Sequence, residues 1–133
     1  MDALYPRLLV DDFDACVRFY EAALKELLGI DPVKVVPEAS YANWDLGGEA
    51  TLALYGRKAI ADVVGTGALP DAPGQDRSML ALRVENVDAA AERLVGLGAT
   101  QVTEPQDRPE WGPNLRTAHL RDPDGNLLEI QSY

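Results

Sequence analysis

The same short pattern opens each half of the chain, and this internal repeat constrains the fold more than any other feature. Residues 8–15 read Leu-Leu-Val-Asp-Asp-Phe-Asp-Ala, and residues 82–89 read Leu-Arg-Val-Glu-Asn-Val-Asp-Ala. In both copies a short apolar strand runs into a polar residue, Asp12 or Asn86, that is suited to cap the first turn of a helix. The repeat therefore predicts one supersecondary unit that is built twice.

Each capped segment continues with apolar residues at helical spacing. The first stripe stops at Gly29 and the second at Gly98, and glycine commonly ends a helix. Three strand-like segments follow each helix, and the last two are joined by a tight turn, at Gly47-Gly48 or at Asp122-Pro123-Asp124-Gly125. The predicted strands are 33–36, 41–46 and 50–55 in the first copy and 100–103, 115–121 and 126–132 in the second. This order predicts an α+β fold of two tandem βαβββ modules.

We divide the single predicted domain 1–133 into module one (1–55), a linker (56–77) and module two (78–133). The linker is rich in glycine, proline and aspartate, and we expect a short helix at about 58–64. A second irregular stretch, 104–114, carries Trp111 beside Gly112 and among prolines. Such an aromatic-bearing stretch favours a lid over a site and a plain surface loop about equally.

Charge and hydropathy exclude several classes of function. The formal net charge of −10 argues against nucleic acid as a partner, because phosphate binding needs clustered lysine and arginine. No segment approaches the roughly 20 apolar residues that span a bilayer, and the first residues do not resemble a signal peptide, so we expect a cytoplasmic protein. Cys16 is the only cysteine, so neither an internal disulfide nor a thiolate metal cluster is expected.

The closing run of module two is the most specific signature in the chain. It comprises Trp111-Gly112 and then Arg121-Asp122-Pro123-Asp124-Gly125-Asn126-Leu127-Leu128-Glu129-Ile130. Together with the repeated openings, this run resembles the vicinal-oxygen-chelate superfamily of glyoxalases, extradiol dioxygenases and bleomycin-resistance proteins, and the resemblance covers the whole chain. It implies curled mixed sheets with helices on the convex face. It also implies ligand-holding cups completed by paired modules, often across a homodimer.

In the enzymes of that superfamily, each module supplies two metal ligands, one on its first strand and one on its last. We carry these ligand positions over to this chain by position. The first-strand positions hold Tyr5 in module one and Met79 in module two. The last-strand position holds Glu129 in module two, and in module one it holds Leu52, or Ala53 if the strand slips by one. Only Glu129 is a residue type that commonly holds a divalent ion at such a site. We therefore expect neither a metal nor another cofactor.

Alternation along the strands predicts which side chains line the concave face. Tyr5, Met79 and Glu129 share that face with arginine, leucine and glutamine neighbours, while Trp111 and Trp44 offer aromatic surfaces. Trp44 lies mid-strand, so a position in the core is favoured over ligand contact. For His119, a hydrogen-bonded position in the sheet is favoured over a role as a base. The charged residues can also pair with one another without any ligand. The predicted ligand-binding residues are Tyr5, Arg7, Leu9, Trp44, Met79, Arg83, Trp111, His119, Glu129 and Gln131.

These observations favour a metal-independent binding protein that sequesters an apolar or aromatic, antibiotic-like small molecule in a cup formed by a homodimer. One alternative is a glyoxalase- or dioxygenase-like enzyme with an atypical or absent metal site, in which Glu129, His119 or Tyr5 acts on the substrate. The other is a non-catalytic accessory module whose cup is filled by its own side chains. No catalytic residue is assigned, and neither nucleic acid nor a membrane is expected as a partner.

Overall fold

The structure is a computed structural model that describes residues 3–71 and 74–133. Its contacts divide the chain into two compact units, Met1–Pro73 and Gly74–Tyr133, which we call unit 1 and unit 2. Each unit contains a four-stranded mixed sheet in a βαβββ series, so the predicted α+β class is confirmed. Within the described residues, no helix is long and apolar enough to cross a membrane.

Unit 1 has the strand order β1-β4-β3-β2, in which β1 is parallel to β4 and the other pairs are antiparallel. Its elements in chain order are β1 (Arg7–Val10), α1 (Phe13–Leu28), β2 (Pro32–Val36), a 3₁₀ turn (Pro37–Ala39), β3 (Tyr41–Leu46), β4 (Glu49–Gly56) and α2 (Arg57–Val64).

The ends of α1 follow the predicted signals. The Asp12 carboxylate accepts a hydrogen bond from the backbone N–H of Ala15 at 3.1 Å, and Gly29 ends the helix with a left-handed φ of 70°. The apolar side of α1 is buried, and so are Trp44 and Leu54 on the sheet beneath it. The core of unit 1 therefore lies between α1 and the sheet, as the helical spacing predicts.

Unit 2 repeats this plan with the strand order β5-β8-β7-β6, in which β5 is parallel to β8. Asn86 caps its helix by accepting the backbone N–H of Ala89 at 3.0 Å. The helix packs on the three C-terminal strands, and Leu94, Leu120 and Ile130 are buried there. The elements are β5 (Leu80–Arg83), α3 (Val87–Gly96), β6 (Thr100–Asp107), β7 (Arg116–Arg121) and β8 (Leu127–Ser132).

The prediction of an irregular stretch over residues 104–114 is wrong for residues 104–107, because β6 continues to Asp107. Pro105 does not stop the strand because β6 lies at the edge of the sheet. In addition, the pairing register shifts between Thr103 and Gln106, so the missing N–H of Pro105 interrupts no regular ladder. The short helix expected at about 58–64 is confirmed as α2. The irregular loop between β6 and β7 is thus shorter than predicted.

Candidate ligand-binding site

The strand register of unit 2 aligns four residues in one row across the sheet. Ala81 on β5 is opposite Glu129 on β8, Glu129 is opposite His119 on β7, and His119 is opposite Thr103 on β6. The neighbours of Glu129 in β8 are buried on the α3 side, so the row lies on the opposite side of the sheet. We call that side the polar face of unit 2, and its residues are Ala81, Thr103, Thr117, His119, Glu129 and Gln131.

His119 is held at both ring nitrogens. Its Nε2 lies 3.0 Å from Oε1 of Glu129, and its Nδ1 lies 2.8 Å from Oγ1 of Thr103. The backbone N–H of His119 also donates to the Thr103 hydroxyl at 3.1 Å. The tautomer with its proton on Nε2 satisfies this set, because it donates to the Glu129 carboxylate and accepts from the Thr103 hydroxyl. His119 therefore fixes the position of Glu129.

Glu129 keeps one oxygen available in this arrangement. Among the described residues its Oε1 is bonded to His119, whereas Oε2 has no hydrogen-bond partner. The side chains of both residues are only 12–13% exposed. A part-buried carboxylate oxygen is a strong acceptor for a ligand hydroxyl or N–H, because little water competes for it.

The loop between β6 and β7 folds over the His119 side of this face. Its base is closed by the backbone N–H of Arg108, which donates to the Leu115 carbonyl at 2.8 Å. The Arg108 guanidinium lies 4.7 Å from the ring centroid of Trp111, and its Nε donates to Thr117 Oγ1 at 3.2 Å. The Trp111 ring in turn meets His119 edge-on, with 6.3 Å between centroids. The loop is therefore ordered by side chains of the face that it covers.

Thr103, Arg108 and Thr117 were absent from the sequence-derived set. Thr103 belongs to the site because of strand register, which a single sequence does not fix, whereas Thr117 shares the face of His119 by alternation within β7. Arg108 could have been found, because it precedes Trp111 by three residues in the irregular stretch. Trp111 N–H donates to the Arg108 carbonyl at 3.0 Å, and such a turn brings the two side chains together.

The other predicted residues of unit 2 are Gln131, Arg83 and Met79. Gln131 is opposite Thr117 on one side and Arg83 on the other. The Arg83 guanidinium lies 3.9 Å from the ring centroid of Tyr133 and donates to its backbone oxygen at 2.9 Å. Met79 precedes β5 and is 45% exposed. These side chains could contact a large ligand, but among the described residues none of them has a hydrogen bond to the His119–Glu129 pair.

In unit 1, Tyr5, Arg7 and Leu9 lie on one side of the sheet by alternation, opposite to Val10. Arg7 Nη2 donates to the Tyr5 hydroxyl oxygen at 3.3 Å, and this hydrogen bond raises the pKa of Arg7. Trp44 does not join them. The prediction that Trp44 binds a ligand is wrong, because its side chain is fully buried in the core of unit 1.

Register also corrects the ligand position assigned to module one. Glu129 is opposite Ala81 of β5, and in unit 1 the residue in that place is Ala53, opposite Arg7 of β1. Leu52 is opposite Trp44 on the core side of the sheet, so the first choice, Leu52, is wrong and the alternative, Ala53, is right. The equivalent of His119 is Asn43, whose buried Oδ1 has no hydrogen-bond partner among the described residues. The polar pair is therefore specific to unit 2.

The side chains present do not fit the metal centre that the superfamily implies. Its four positions hold Tyr5, Ala53, Met79 and Glu129, and Glu129 is already bonded to His119. Across residues 3–71 and 74–133, no three or more histidine, cysteine, aspartate or glutamate side chains converge as metal ligands. A divalent ion would have one carboxylate and one imidazole here, fewer protein ligands than such sites commonly use.

Comparison with known proteins agrees with this architecture. The model of the glyoxalase-like domain family matches residues 7–131. The uncharacterized protein YraH of Bacillus subtilis (strain 168) is 37% identical over 131 residues, which cover 98% of this chain and 97% of YraH. A glyoxalase-related enzyme from Fulvimarina pelagi has a TM-score of 0.75 at 28% identity, covering 98% of this chain and 87% of that one. A lactoylglutathione lyase from Agrobacterium tumefaciens has a TM-score of 0.67 at 19% identity, covering 97% and 91%, and shows the fold alone.

Proposed function

Because this chain belongs to the glyoxalase-like domain family but lacks a fitting set of metal ligands, we propose that it is a metal-independent small-molecule binding protein. Its ligand is apolar or aromatic and lies on the polar face of unit 2. The bleomycin-resistance proteins of the superfamily that the chain resembles hold an antibiotic without transforming it. By that analogy, the role of this protein is to sequester a compound of this kind.

One observation carries the proposal: Trp111 is held in place while much of the residue is exposed. The residue is 54% exposed, yet its ring is oriented by the Arg108 guanidinium and by a T-shaped contact with His119. A rigid aromatic surface contributes contact area to a ligand at little cost in conformational entropy. The Glu129 carboxylate, bonded to His119 beside it, adds a polar group that can orient the bound molecule.

A thermal-shift screen against planar aromatic compounds tests the proposal. A ligand present at about 100 times its dissociation constant adds about 2.7 kcal/mol to the free energy of unfolding. We expect hits that raise the melting temperature of the parent protein clearly more than that of Trp111→Ala. A screen without hits, or hits that stabilise both proteins equally, would contradict binding on this face.

A second candidate function is acid–base catalysis without a metal, and the hydrogen-bonded series Thr103–His119–Glu129 favours it. The series holds a carboxylate with one available oxygen next to an aromatic contact surface. Glu129→Gln keeps the shape of the side chain but removes the base. If hits from the screen are turned over by the parent and not by this variant, the protein is an enzyme. If the variant changes only affinity, the binding function stands.

A further inference from the structure

We infer that the ligand of the polar face carries an anionic group, in the simplest case a carboxylate on a planar aromatic ring, and that Arg108 binds this group. The inference rests on the proposed function, because it names the chemical class of the ligand of that same site. It starts from the charge of Arg108, which the proposed function does not use.

Three other arginines of the protein have acidic partners. Arg57 lies 2.8 Å from Asp71, Arg116 lies 2.7 Å from Asp88, and Arg121 lies 2.8 Å from Asp76. Within the described ranges, Arg108 has no carboxylate at ion-pair distance. Carboxylates are abundant, since the chain has 22 acidic and 12 basic residues. A half-buried guanidinium without one of them is available to a negative charge from outside the protein.

The two contacts of Arg108 orient its guanidinium and leave part of it unused. Its Nε donates to Thr117 Oγ1 at 3.2 Å, and its plane is supported by the Trp111 ring at 4.7 Å. Neither Nη atom has a hydrogen-bond partner in the part of the chain that the structure describes. Two N–H groups held side by side match the two oxygens of a carboxylate. Because the side chain is already positioned, little rotamer entropy is lost on binding.

Glu129 does not neutralise Arg108. No ion pair joins the two residues, and the Glu129 oxygen Oε1 is bonded to His119. The face therefore offers three different contacts: a cation at Arg108, an aromatic ring at Trp111 and a hydrogen-bond acceptor at Glu129. An aromatic acid places its ring beside Trp111 and its carboxylate on Arg108. A hydroxyl or N–H on the same molecule can then reach Glu129.

Matched pairs of acids and amides test this inference. The probes are benzoate and benzamide, 2-naphthoate and 2-naphthamide, and indole-3-carboxylate and indole-3-carboxamide, titrated calorimetrically at fixed ionic strength. We expect at least one acid to bind the parent tenfold or more tighter than its amide, since a charge-assisted pair is worth about that factor or more. Arg108→Gln should weaken binding of the acid at least tenfold more than binding of the amide, because both probes lose one support of Trp111 but only the acid loses its charge partner. Arg108→Lys keeps the charge but not the forked pair of N–H groups. Its affinity for the acid should therefore lie between that of the parent and that of Arg108→Gln.

Arg77→Gln is the matched control, because it removes an exposed arginine of unit 2 that makes no ion pair among the described residues. It should bind every probe like the parent. Acids and amides that bind the parent equally, or an Arg108→Gln variant that weakens both alike, would overturn the inference while the proposed function stands. If no probe binds the parent, the inference fails, and the thermal-shift screen decides separately whether the proposed function stands.

Discussion

Nε2 of His119 lies 3.0 Å from Oε1 of Glu129 across neighbouring strands, and the two side chains are 12% and 13% exposed. Glu129 is the one side chain of metal-ligand type among the four positions at which the superfamily's enzymes hold their metal. In this chain that carboxylate is bonded to an imidazole, which is itself held by Thr103. The position is thus used for a polar pair within the sheet, and the pair leaves one carboxylate oxygen for a ligand.

Trp111→Ala should weaken binding of any ligand of the polar face by about thirtyfold, because losing a stacking aromatic costs about 2 kcal/mol. Its free energy of unfolding should change by less than about 0.5 kcal/mol, since the residue is an exposed loop residue. The control is Trp44→Ala, which should cost about 3–5 kcal/mol because that side chain is fully buried. Urea unfolding and calorimetric titration measure the two effects. Global destabilisation by Trp111→Ala would contradict its placement.

Asp122→Ala should destabilise the protein by about 3 kcal/mol, since it leaves several donors of the turn unsatisfied. The Asp122 carboxylate is buried and accepts the backbone N–H groups of Asp124 and Asn126, at 2.9 and 2.8 Å, and the Asn126 side-chain amide. Asp122→Asn keeps one acceptor oxygen, so its loss should be smaller. The two variants are compared by urea unfolding. Equal effects would show that the carboxylate does not hold the turn.

The stability of unit 2 should fall in acid. Ion pairs with Arg121 and Arg116 lower the pKa values of Asp76 and Asp88 below the usual 3.8. A carboxyl with a lowered pKa in the folded state stabilises that state above the unfolded pKa. The contribution disappears as the pH falls through the lowered value. Asp88→Asn should therefore melt at a lower temperature than the parent at pH 7, and the difference should shrink as the pH falls below 3.8 through the lowered pKa of Asp88.

Glu92→Gln is the control for this experiment, because Glu92 is an exposed residue of the same helix. Its melting temperature should follow that of the parent at every pH. Melting curves recorded by circular dichroism between pH 2.5 and 7 provide the comparison. A constant difference between Asp88→Asn and the parent over this range would contradict the role of the ion pair.

We predict a homodimer in solution. The resemblance to the superfamily implies one, and β2 at the edge of the unit 1 sheet exposes Val33 and Val35 by 58% and 37%. Exposed apolar side chains on an edge strand favour association with another chain. Light scattering at micromolar concentration should give twice the chain mass of 14.4 kDa. Val35→Lys should weaken the dimer if β2 forms part of the interface, and a monomeric parent would refute the prediction.

Local signals predicted much of the fold because they depend on neighbouring residues alone. Asp12 and Asn86 start their helices by accepting hydrogen bonds three residues ahead, and Gly29 ends α1. The turn at Asp122-Pro123-Asp124-Gly125 is likewise fixed by hydrogen bonds within itself. Such signals can be found in one sequence without knowledge of the remote contacts.

The site depended on information that one sequence does not contain. The pairing of His119 with Glu129 requires the register between β7 and β8, and a slip of one residue would put them on opposite sides. The same uncertainty in register left both Leu52 and Ala53 as candidates for the ligand position of module one. Its spacing to Trp111 could have indicated Arg108, but the contact of Arg108 with Thr117 depends on the way the loop folds back. A correct list of strands was therefore compatible with several different sites.

Calorimetric titration of the tightest-binding aromatic acid, before and after exhaustive dialysis against EDTA, tests metal-independent binding most directly. The elemental content of both samples is measured alongside. We predict no stoichiometric divalent metal before dialysis and the same Kd in both samples, because Arg108 and Trp111 supply the contacts. Loss of binding on chelation would contradict the account, above all if one equivalent of a divalent metal restored it to the parent but not to Glu129→Gln.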